Sequence, residues 1–199
     1  MITRKEMTRM LLKEGLLSCL ANNSFESVTV TSLCKASGIT RSTFYLHYSN
    51  IMEIVDDLVD DAIAYSKPGM VDNNNLQTIA NTLSAASNSV LLREAYDSIF
   101  DRLPLCQRII RHKKYLPLFL DEQISEYVLQ RIIGSEKDRQ GLVMAEALGV
   151  SFDVGVSVFV FLVHGLYAVN KQYKWSQSDE WLEAQKIIFE LVYRGLQSK

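Results

Sequence analysis

Residues 28–48 decide the fold of this chain and read Val-Thr-Val-Thr-Ser-Leu-Cys-Lys-Ala-Ser-Gly-Ile-Thr-Arg-Ser-Thr-Phe-Tyr-Leu-His-Tyr. Thr29 and Thr40 each precede a short helical stretch that a hydroxyl oxygen can cap. Gly38 lies between the two stretches, where a glycine ends a helix and permits a left-handed backbone turn. The run therefore predicts one helix ending at Ser37 and a second helix over residues 41–48.

The two predicted helices each have an apolar face and an outward face. The apolar side chains can point into a small core shared with a preceding helix, and this set is Leu16, Leu20, Leu33, Ile39, Phe44 and Tyr48. Arg41, Ser42, Tyr45 and Leu46 are then left outward. Two short helices joined by a glycine turn are typical of a helix-turn-helix, whose second helix enters the major groove of DNA.

The outward side chains have the chemistry that a DNA surface needs. Arg41 can donate two hydrogen bonds to a guanine edge, and the Tyr45 hydroxyl can reach a phosphate. The N-terminus of the earlier helix also favours phosphate. The predicted DNA-binding residues are Thr29, Thr31, Ser32, Thr40, Arg41, Ser42, Thr43, Tyr45, Leu46 and His47. The alternative is an amphipathic three-helix unit in which the two threonines are ordinary caps.

The segment from Ala36 to Tyr48, followed by Asn50 and Glu53, resembles the TetR family of transcription regulators. The resemblance is specific over residues 8–65 and is limited to the layout of helices beyond them. It implies a homodimer, a palindromic DNA operator, and release of DNA when a small effector binds the C-terminal domain. A repressor is the kind of regulator that it favours.

Two positions depart from the pattern of that family. Its members often have glycine where Ser24 stands and a phosphate-binding lysine where Ile51 stands. Arg4, Lys5 and Arg9 are the basic residues that could replace the missing lysine contact.

The charge of the chain is distributed unevenly. The net charge is −2, but residues 1–50 carry six basic and three acidic residues, a net +3, and the remainder carries −5. Attraction to phosphates depends on the local field, which only the first fifty residues could supply. A local charge of +3 favours a small DNA-reading module over a broad, non-specific coating protein.

The sequence predicts an all-α protein, because it has three prolines and no Asn-Gly or Asp-Gly hairpin dipeptide. Thr3 and Glu6 have capping-box spacing at the start of the first helix, and residues 22–24 end it. The predicted organisation is a helix-turn-helix domain over 1–50, a connecting helix over 51–66, and a helical effector-binding and dimerisation domain over 67–199. Its linker begins at Lys67-Pro68-Gly69 and continues through 72–75.

The C-terminal part contains two long helices suited to an interface. Residues 149–169 are apolar almost all round, and their length favours a helix over a strand. Asp153 and His164 lie inside this segment and argue against a membrane span. In the last helix, introduced by residues 176–178, an apolar stripe at 3-4-3 spacing comprises Trp181, Ala184, Ile188 and Leu191. We therefore predict dimerisation through the last two helices, and helix breaks near Leu103-Pro104, Leu116-Pro117 and Gly134-Ser135.

Aromatic residues and three polar residues of the C-terminal part could line a site for a small, largely apolar effector. Asp153, Ser157 and His164 share a narrow sector of one helix. They form a solvent-facing polar stripe, or His164 is a buried histidine with a local partner, or the three line a pocket or a dimer contact. The candidate effector-binding residues are Tyr96, Phe100, Tyr115, Phe119, Phe152, Asp153, Ser157 and His164. Each aromatic residue has an ordinary core role as its alternative.

Nothing in the sequence has the spacing of a catalytic, cofactor or metal site. The acidic residues Asp56, Asp57, Asp60 and Asp61 alternate with an apolar stripe at helical spacing, which favours a solvated helix face. Three cysteines without a CxxC pattern, and no signal peptide, favour a cytoplasmic protein with reduced thiols. We therefore expect no enzyme activity, cofactor or metal.

Two other functional classes stay open at this point. The chain could be a helical regulator that keeps this fold and binds a protein partner. The modest charge and Ile51 leave room for this hypothesis, and Arg41, Thr43 and Tyr45 argue against it. It could also be an enzyme or ligand carrier built on an all-α bundle. Salt-dependent binding to DNA upstream of its own gene would separate the first hypothesis from both others.

Overall fold

The structure is a computed structural model that describes residues 3–66 and 75–197. The predicted linker over 67–74 lies outside the described residues. Within the described ranges the chain is all-α, as predicted, and contains no strand. Its α-helices are α1 (Arg4–Leu20), α2 (Val30–Ser37), α3 (Arg41–Tyr45), α4 (Met52–Ser66), α5 (Asn75–Ser84), α6 (Ser89–Ser98), α7 (Leu105–Arg111), α8 (Leu116–Leu120), α9 (Ser125–Leu148), α10 (Phe152–Gln172) and α11 (Asp179–Gln197).

Helix α1 has the predicted capping box. The Thr3 backbone N–H donates to Glu6 Oε2 (2.7 Å), and the Glu6 backbone N–H donates to Thr3 Oγ1 (3.2 Å). The side-chain amides of Asn22 and Asn23 donate to carbonyls of the last turn at 3.1 Å each, which confirms that these residues end the helix. Ser24 has φ −71° and ψ 151°, an extended backbone that any residue adopts, so this loop needs no glycine there.

Helices α2 and α3 begin at the two predicted caps. Thr29 forms a reciprocal capping box with Ser32, and the Thr43 backbone N–H donates to Thr40 Oγ1 (3.2 Å). Gly38 has φ 66° and ψ 23°, the left-handed conformation for which a glycine is favoured. Helix α3 ends at Tyr45 and not at residue 48, because the chain tightens into a turn with i→i+3 hydrogen bonds.

The chain folds into two compact units. The first comprises Met1–Tyr65 and Ile109–Ile132, and the second comprises Ser66–Arg108 and Ile133–Lys199. The connecting helix is predicted to end at residue 66, and the first boundary between the two units lies between Tyr65 and Ser66. Residues 109–132, which the prediction groups with the C-terminal domain, belong to the first unit.

The core of the first unit contains the residues that the sequence pattern places inward, with Ile39 only half-buried. Its fully buried members include Leu12, Leu16, Leu33, Phe44, Ile54 and Val55. Helices α1 and α2 cross closely at Gly15, where an added Cβ would lie 2.1 Å from Ser37 Oγ.

The core of the second unit is a cluster of apolar and aromatic side chains from α5, α6, α10 and α11. It comprises Ile79, Leu83, Leu92, Tyr96, Ile99, Leu103, Leu166, Trp181, Leu182 and Phe189. Trp181 packs edge-on against Tyr96 with ring centroids 5.1 Å apart, and Trp175 packs likewise against Tyr167 at 5.3 Å. Both tryptophans are buried.

The predicted break at Gly134-Ser135 is wrong, because both residues lie inside α9. A single glycine costs a helix about 1 kcal/mol relative to alanine, which flanking apolar contacts can offset. Ile132, Ile133 and Glu136 are all buried there. The other two predicted breaks coincide with helix starts, since α7 begins directly after Pro104 and Pro117 occupies the first turn of α8.

Helix α10 confirms the predicted long apolar helix, but its own chain covers little of it. By length and composition it could cross a membrane, and 28% of its most apolar window is buried. Phe161 is 75% exposed on this helix, and Leu191 is 66% exposed on α11. The predicted stripe of α11 is divided, since Trp181 is buried in the core of its own unit and Leu191 faces outward.

Candidate nucleic-acid interface

Helix α3 presents a set of exposed side chains at the surface of the first unit. Arg41, its first residue, is exposed and forms no hydrogen bond or ion pair with any residue of the described part of the chain. Tyr45 is 53% exposed and Leu46 is 81% exposed. Phe44, which precedes them in the chain, is fully buried. One face of α3 is therefore anchored in the core and the other is available to a partner.

The hydroxyl groups at the start of α3 form one hydrogen-bonded cluster. Thr40 Oγ1 lies 3.0 Å from Ser42 Oγ and 2.9 Å from Thr43 Oγ1. Each hydroxyl has one donor and two acceptor positions. The cluster fixes the beginning of α3, and the exposed Ser42 hydroxyl keeps hydrogen-bonding capacity for an external group.

The predicted residues of α2 divide between capping and exposure. Thr29 and Ser32 bind each other, with the Thr29 backbone N–H donating to Ser32 Oγ (2.9 Å) and the Ser32 hydroxyl donating to the Thr29 carbonyl (2.9 Å). Thr31 is exposed beside them. His47, at the other end of the predicted surface, is only half-exposed, and its Nδ1 is buried without a partner among the described residues.

A partly buried network of side-chain hydrogen bonds holds the segment that follows α3 in place. The Tyr48 hydroxyl donates to Asp57 Oδ2 (2.5 Å), Arg9 Nε donates to the same oxygen (3.0 Å), and the Arg9 guanidinium lies 5.0 Å above the Tyr48 ring. Burial raises the pKa of Tyr48. Burial also opposes ionisation of Asp57, but hydrogen bonds from Arg9 and Tyr48 outweigh it, so the pKa of Asp57 lies below its ordinary value.

The acidic residues of α4 are ion-paired rather than simply solvated. Asp57 and Asp61 bind Arg9 and Lys13 of α1. Asp56 and Asp60 both bind Arg131 of α9, the latter at 2.6 Å. The predicted solvated face is confirmed for Asp60 and Asp61, which are exposed although ion-paired, whereas Asp56 and Asp57 are half-buried in their ion pairs. A signal was present in the sequence, because residues 9 and 13 have the same four-residue spacing as residues 57 and 61.

These pairs determine which cations of the first unit are available for DNA phosphates. Arg9 is ion-paired with Asp57, so its charge is partly neutralised within the first unit. Arg4, Lys5, Lys35 and Arg41 are exposed and belong to no ion pair in the described part of the chain. Arg4 and Lys5 are therefore the unpaired candidates to replace the lysine that the family often has at Ile51.

The predicted effector-binding residues do not all lie in one unit. Tyr115 and Phe119 are buried in the first unit, and the other six belong to the second. Tyr96 is in the core cluster, and Phe100 packs against it. Phe152, Asp153 and Ser157 are exposed, and the Ser157 hydroxyl donates to the Asp153 carbonyl (2.8 Å). For Asp153 and Ser157 this placement favours the solvent-facing stripe over a pocket wall.

No group of three potential metal ligands is found within residues 3–66 and 75–197. The three cysteines are free thiols, and burial raises the pKa of Cys106 to about 11. A comparison of the chain with models of known protein families gives no match, and neither does a comparison with curated proteins.

Proposed function

We propose that the chain is a ligand-responsive transcription regulator of the TetR type, most simply a repressor, which binds a palindromic operator as a homodimer. The observation that carries the proposal is the exposed, unpaired Arg41 at the start of a helix that Phe44 anchors from the opposite face. A guanidinium with free donors can read guanine O6 and N7 in the major groove. The fold and spacing of residues 28–48 support this assignment.

The homodimer is proposed from the apolar residues that α10 and α11 leave exposed. On α10, Phe152, Val154 and Phe161 are 40%, 47% and 75% exposed. On α11, Ile187 and Leu191 are 50% and 66% exposed. Surfaces of this kind need cover, and a two-fold interface buries the same patch twice. A second copy of the chain is therefore the occupant that we propose.

The effector response is proposed on thermodynamic linkage. A ligand can weaken DNA binding only if it prefers a dimer that binds the operator poorly. In the binding-competent dimer the two α3 helices would be about 34–36 Å apart, one turn of DNA. A typical coupling of about 1–3 kcal/mol lowers operator affinity by about 5- to 150-fold.

The deciding experiment measures binding of the full chain to DNA upstream of its own gene at several salt concentrations. We expect specific binding whose affinity falls steeply with salt, because phosphate contacts release counterions. A shuffled DNA of the same length and composition is the control. Equal binding to both DNAs, or no binding at low salt, would contradict the proposal.

A protein-binding regulator on the same fold is the second candidate. The exposure of Leu46 (81%) favours it, because an apolar side chain at the tip of α3 suits a protein surface as well as a thymine methyl group. The same DNA experiment separates the two, since this candidate gives no difference between upstream and shuffled DNA.

A further inference from the structure

Arg108 of α7 is a buried arginine without a carboxylate partner. Its side chain is 1% exposed, and its Nη1 donates to the backbone carbonyl of Ser66 (2.5 Å). Its Nε is buried and has no hydrogen-bond partner, and no ion pair within residues 3–66 and 75–197 includes it. Burial lowers the pKa of Arg108 against the opposing charges of Glu136 and Asp101. A buried guanidinium without a hydrogen-bonded carboxylate is unfavourable, and Arg108 has none in the described part of the chain.

The buried acid with the largest effect on Arg108 already has another partner. Glu136 of α9 is 5% exposed, and its Oε2 accepts a hydrogen bond from Arg139 Nη2 at 2.6 Å. No hydrogen bond joins Glu136 to Arg108 in the described part of the chain. Within α9, Glu136 is therefore paired with Arg139, and its charge reaches Arg108 without a direct hydrogen bond.

The free edge of the Arg108 guanidinium has a specific geometry. In an arginine side chain the Nε–H and one N–H of Nη2 point in the same direction, and together they match the two oxygens of a carboxylate. The contact with Ser66 uses Nη1 and does not occupy this edge. The protein thus orients Arg108 through Nη1, and the Nε–H of the bidentate edge has no acceptor in the described part of the chain.

Other buried nitrogens of the second unit also lack acceptors. Gln107, next to Arg108, accepts from the Tyr96 hydroxyl (2.9 Å) and donates to Gln185 Oε1 (2.6 Å). The Nε2 of Gln185 and the Nδ2 of Asn170 are buried without partners among the described residues. These atoms, like Arg108 Nε, are donors. Each of them is a buried donor that lacks an acceptor in the described part of the chain.

We propose that the second unit binds an organic carboxylate through the Nε and Nη2 edge of Arg108. Leu105, one helical turn before Arg108, is buried and apolar, so the carboxylate that we propose carries an apolar group. This inference depends on the proposed function in one respect, which is that the bound carboxylate is the effector of the regulator. It changes the predicted effector from an apolar compound to one with an anionic head.

The test is isothermal titration of the full chain with four carboxylates, acetate, hexanoate, benzoate and phenylacetate, and with the primary amide of each. We expect at least one carboxylate to bind more tightly than its amide by about 10- to 100-fold, the contribution of a charge-assisted pair. Arg108→Gln should remove that difference. Arg93→Gln, which also removes a guanidinium from the second unit but pairs with Asp179 and not with Glu136, should retain it.

Three results would overturn the proposal. They are equal affinity for every carboxylate and its amide, an unchanged preference in Arg108→Gln, and tighter binding of inorganic phosphate than of any carboxylate.

If Arg108→Gln does not fold, the Nε–H resonance of Arg108 in the ¹⁵N-arginine-labelled wild type decides, since it must shift on addition of the carboxylate that binds most tightly. No DNA enters these measurements, so their failure leaves the DNA-binding proposal standing, and failure of DNA binding leaves the carboxylate site standing.

Discussion

Arg9 and Arg41 carry the same charge but differ in their surroundings. Arg9 donates to Asp57 and lies over the Tyr48 ring, so its guanidinium stabilises the first unit. Arg41 has no such partner in the described part of the chain and is exposed at the start of α3. Of these two arginines, only Arg41 has all its donors available to a base.

Replacing Arg41 should therefore change sequence preference as well as affinity. We expect Arg41→Ala to weaken operator binding by about 1–3 kcal/mol and to relax preference at one base position. Lys35→Ala removes one exposed charge from the same unit and should weaken binding to all sequences alike. Fluorescence anisotropy with an operator and single-base variants measures both effects. An equal loss for Arg41→Ala on operator and random DNA would restrict Arg41 to a phosphate contact.

Asp57 should make the stability of the first unit depend on pH. Its pKa is lower in the folded protein, so the carboxylate stabilises the fold above its ordinary pKa of about 3.9, and this contribution is lost as the pH falls through the lowered value. Asp57→Asn should lower the free energy of unfolding by about 1 kcal/mol at pH 7. The difference from wild type should shrink when urea unfolding is repeated near pH 3.

Asp61→Asn is the matched control for this prediction. Its carboxylate is more exposed than that of Asp57 and binds Lys13 alone. An exposed pair of this kind contributes at most about 1 kcal/mol, and often much less. Equal destabilisation by the two substitutions, or a loss in Asp57→Asn that does not vary with pH, would show that the Arg9–Tyr48–Asp57 network has no special role.

The ion pairs of α4 show what sequence reasoning can miss at this scale. Four acidic residues at helical spacing fit a solvated face, and nothing local distinguishes a solvated aspartate from a paired one. The partners are Arg9 and Lys13 at one end of the chain and Arg131 much later in it. Such pairs depend on tertiary structure. The burial of Arg108 could not be predicted for the same reason, since no local pattern indicates it.

Among the structural elements, those fixed by local chemistry could be predicted. Thr3, Thr29 and Thr40 cap the helices expected of them, and Gly38 adopts the left-handed turn. These features depend on hydrogen bonds spanning three or four residues. The break at Gly134 was predicted wrongly because tertiary packing overrides a weak helix propensity. The length of α3 was overestimated by three residues because its final turn tightens.

Helices α9 and α10 pack so closely that one glycine has no room for a side chain. A Cβ on Gly155 would lie 2.3 Å from the Gly141 carbonyl oxygen and 2.7 Å from the Ala145 backbone nitrogen. Gly155→Ala should therefore destabilise the second unit by about 1–3 kcal/mol, the usual cost of overpacking. Gly134→Ala, in α9 with open space around it, should be neutral or stabilising by up to about 1 kcal/mol. Thermal unfolding of the two variants compares them, and similar melting temperatures would contradict the close packing.

For the whole molecule, the exposed apolar residues of α10 and α11 predict association. Phe161→Glu should give a folded monomer, because Phe161 is 75% exposed and contributes little to its own core. Val90→Glu, a similarly exposed change on α6, should leave the dimer intact. Sedimentation velocity at micromolar concentration without detergent measures both. A wild-type monomer, or a wild type that stays with the membrane fraction, would contradict a dimer interface on these helices.

The division of the chain into units is the part of the architecture that the sequence did not indicate. Residues 109–132 follow the linker, and their composition resembles that of the helices around them. Their membership of the first unit depends on contacts such as the hydrogen bond from the Phe25 backbone N–H to Asp121 (2.6 Å). Because residues 25 and 121 are far apart in the chain, no periodicity or spacing links them.

Trp175 and Trp181 are the two tryptophans of the chain, and both are buried in the second unit. Selective excitation of indole therefore gives an emission signal from the second unit alone, whereas far-ultraviolet circular dichroism reports helices of both units. Recording the two signals during one urea titration tests whether the units unfold together, since a single cooperative transition requires coincident curves. The natural placement of these side chains thus supplies an intrinsic spectroscopic label, with no need for an added fluorophore.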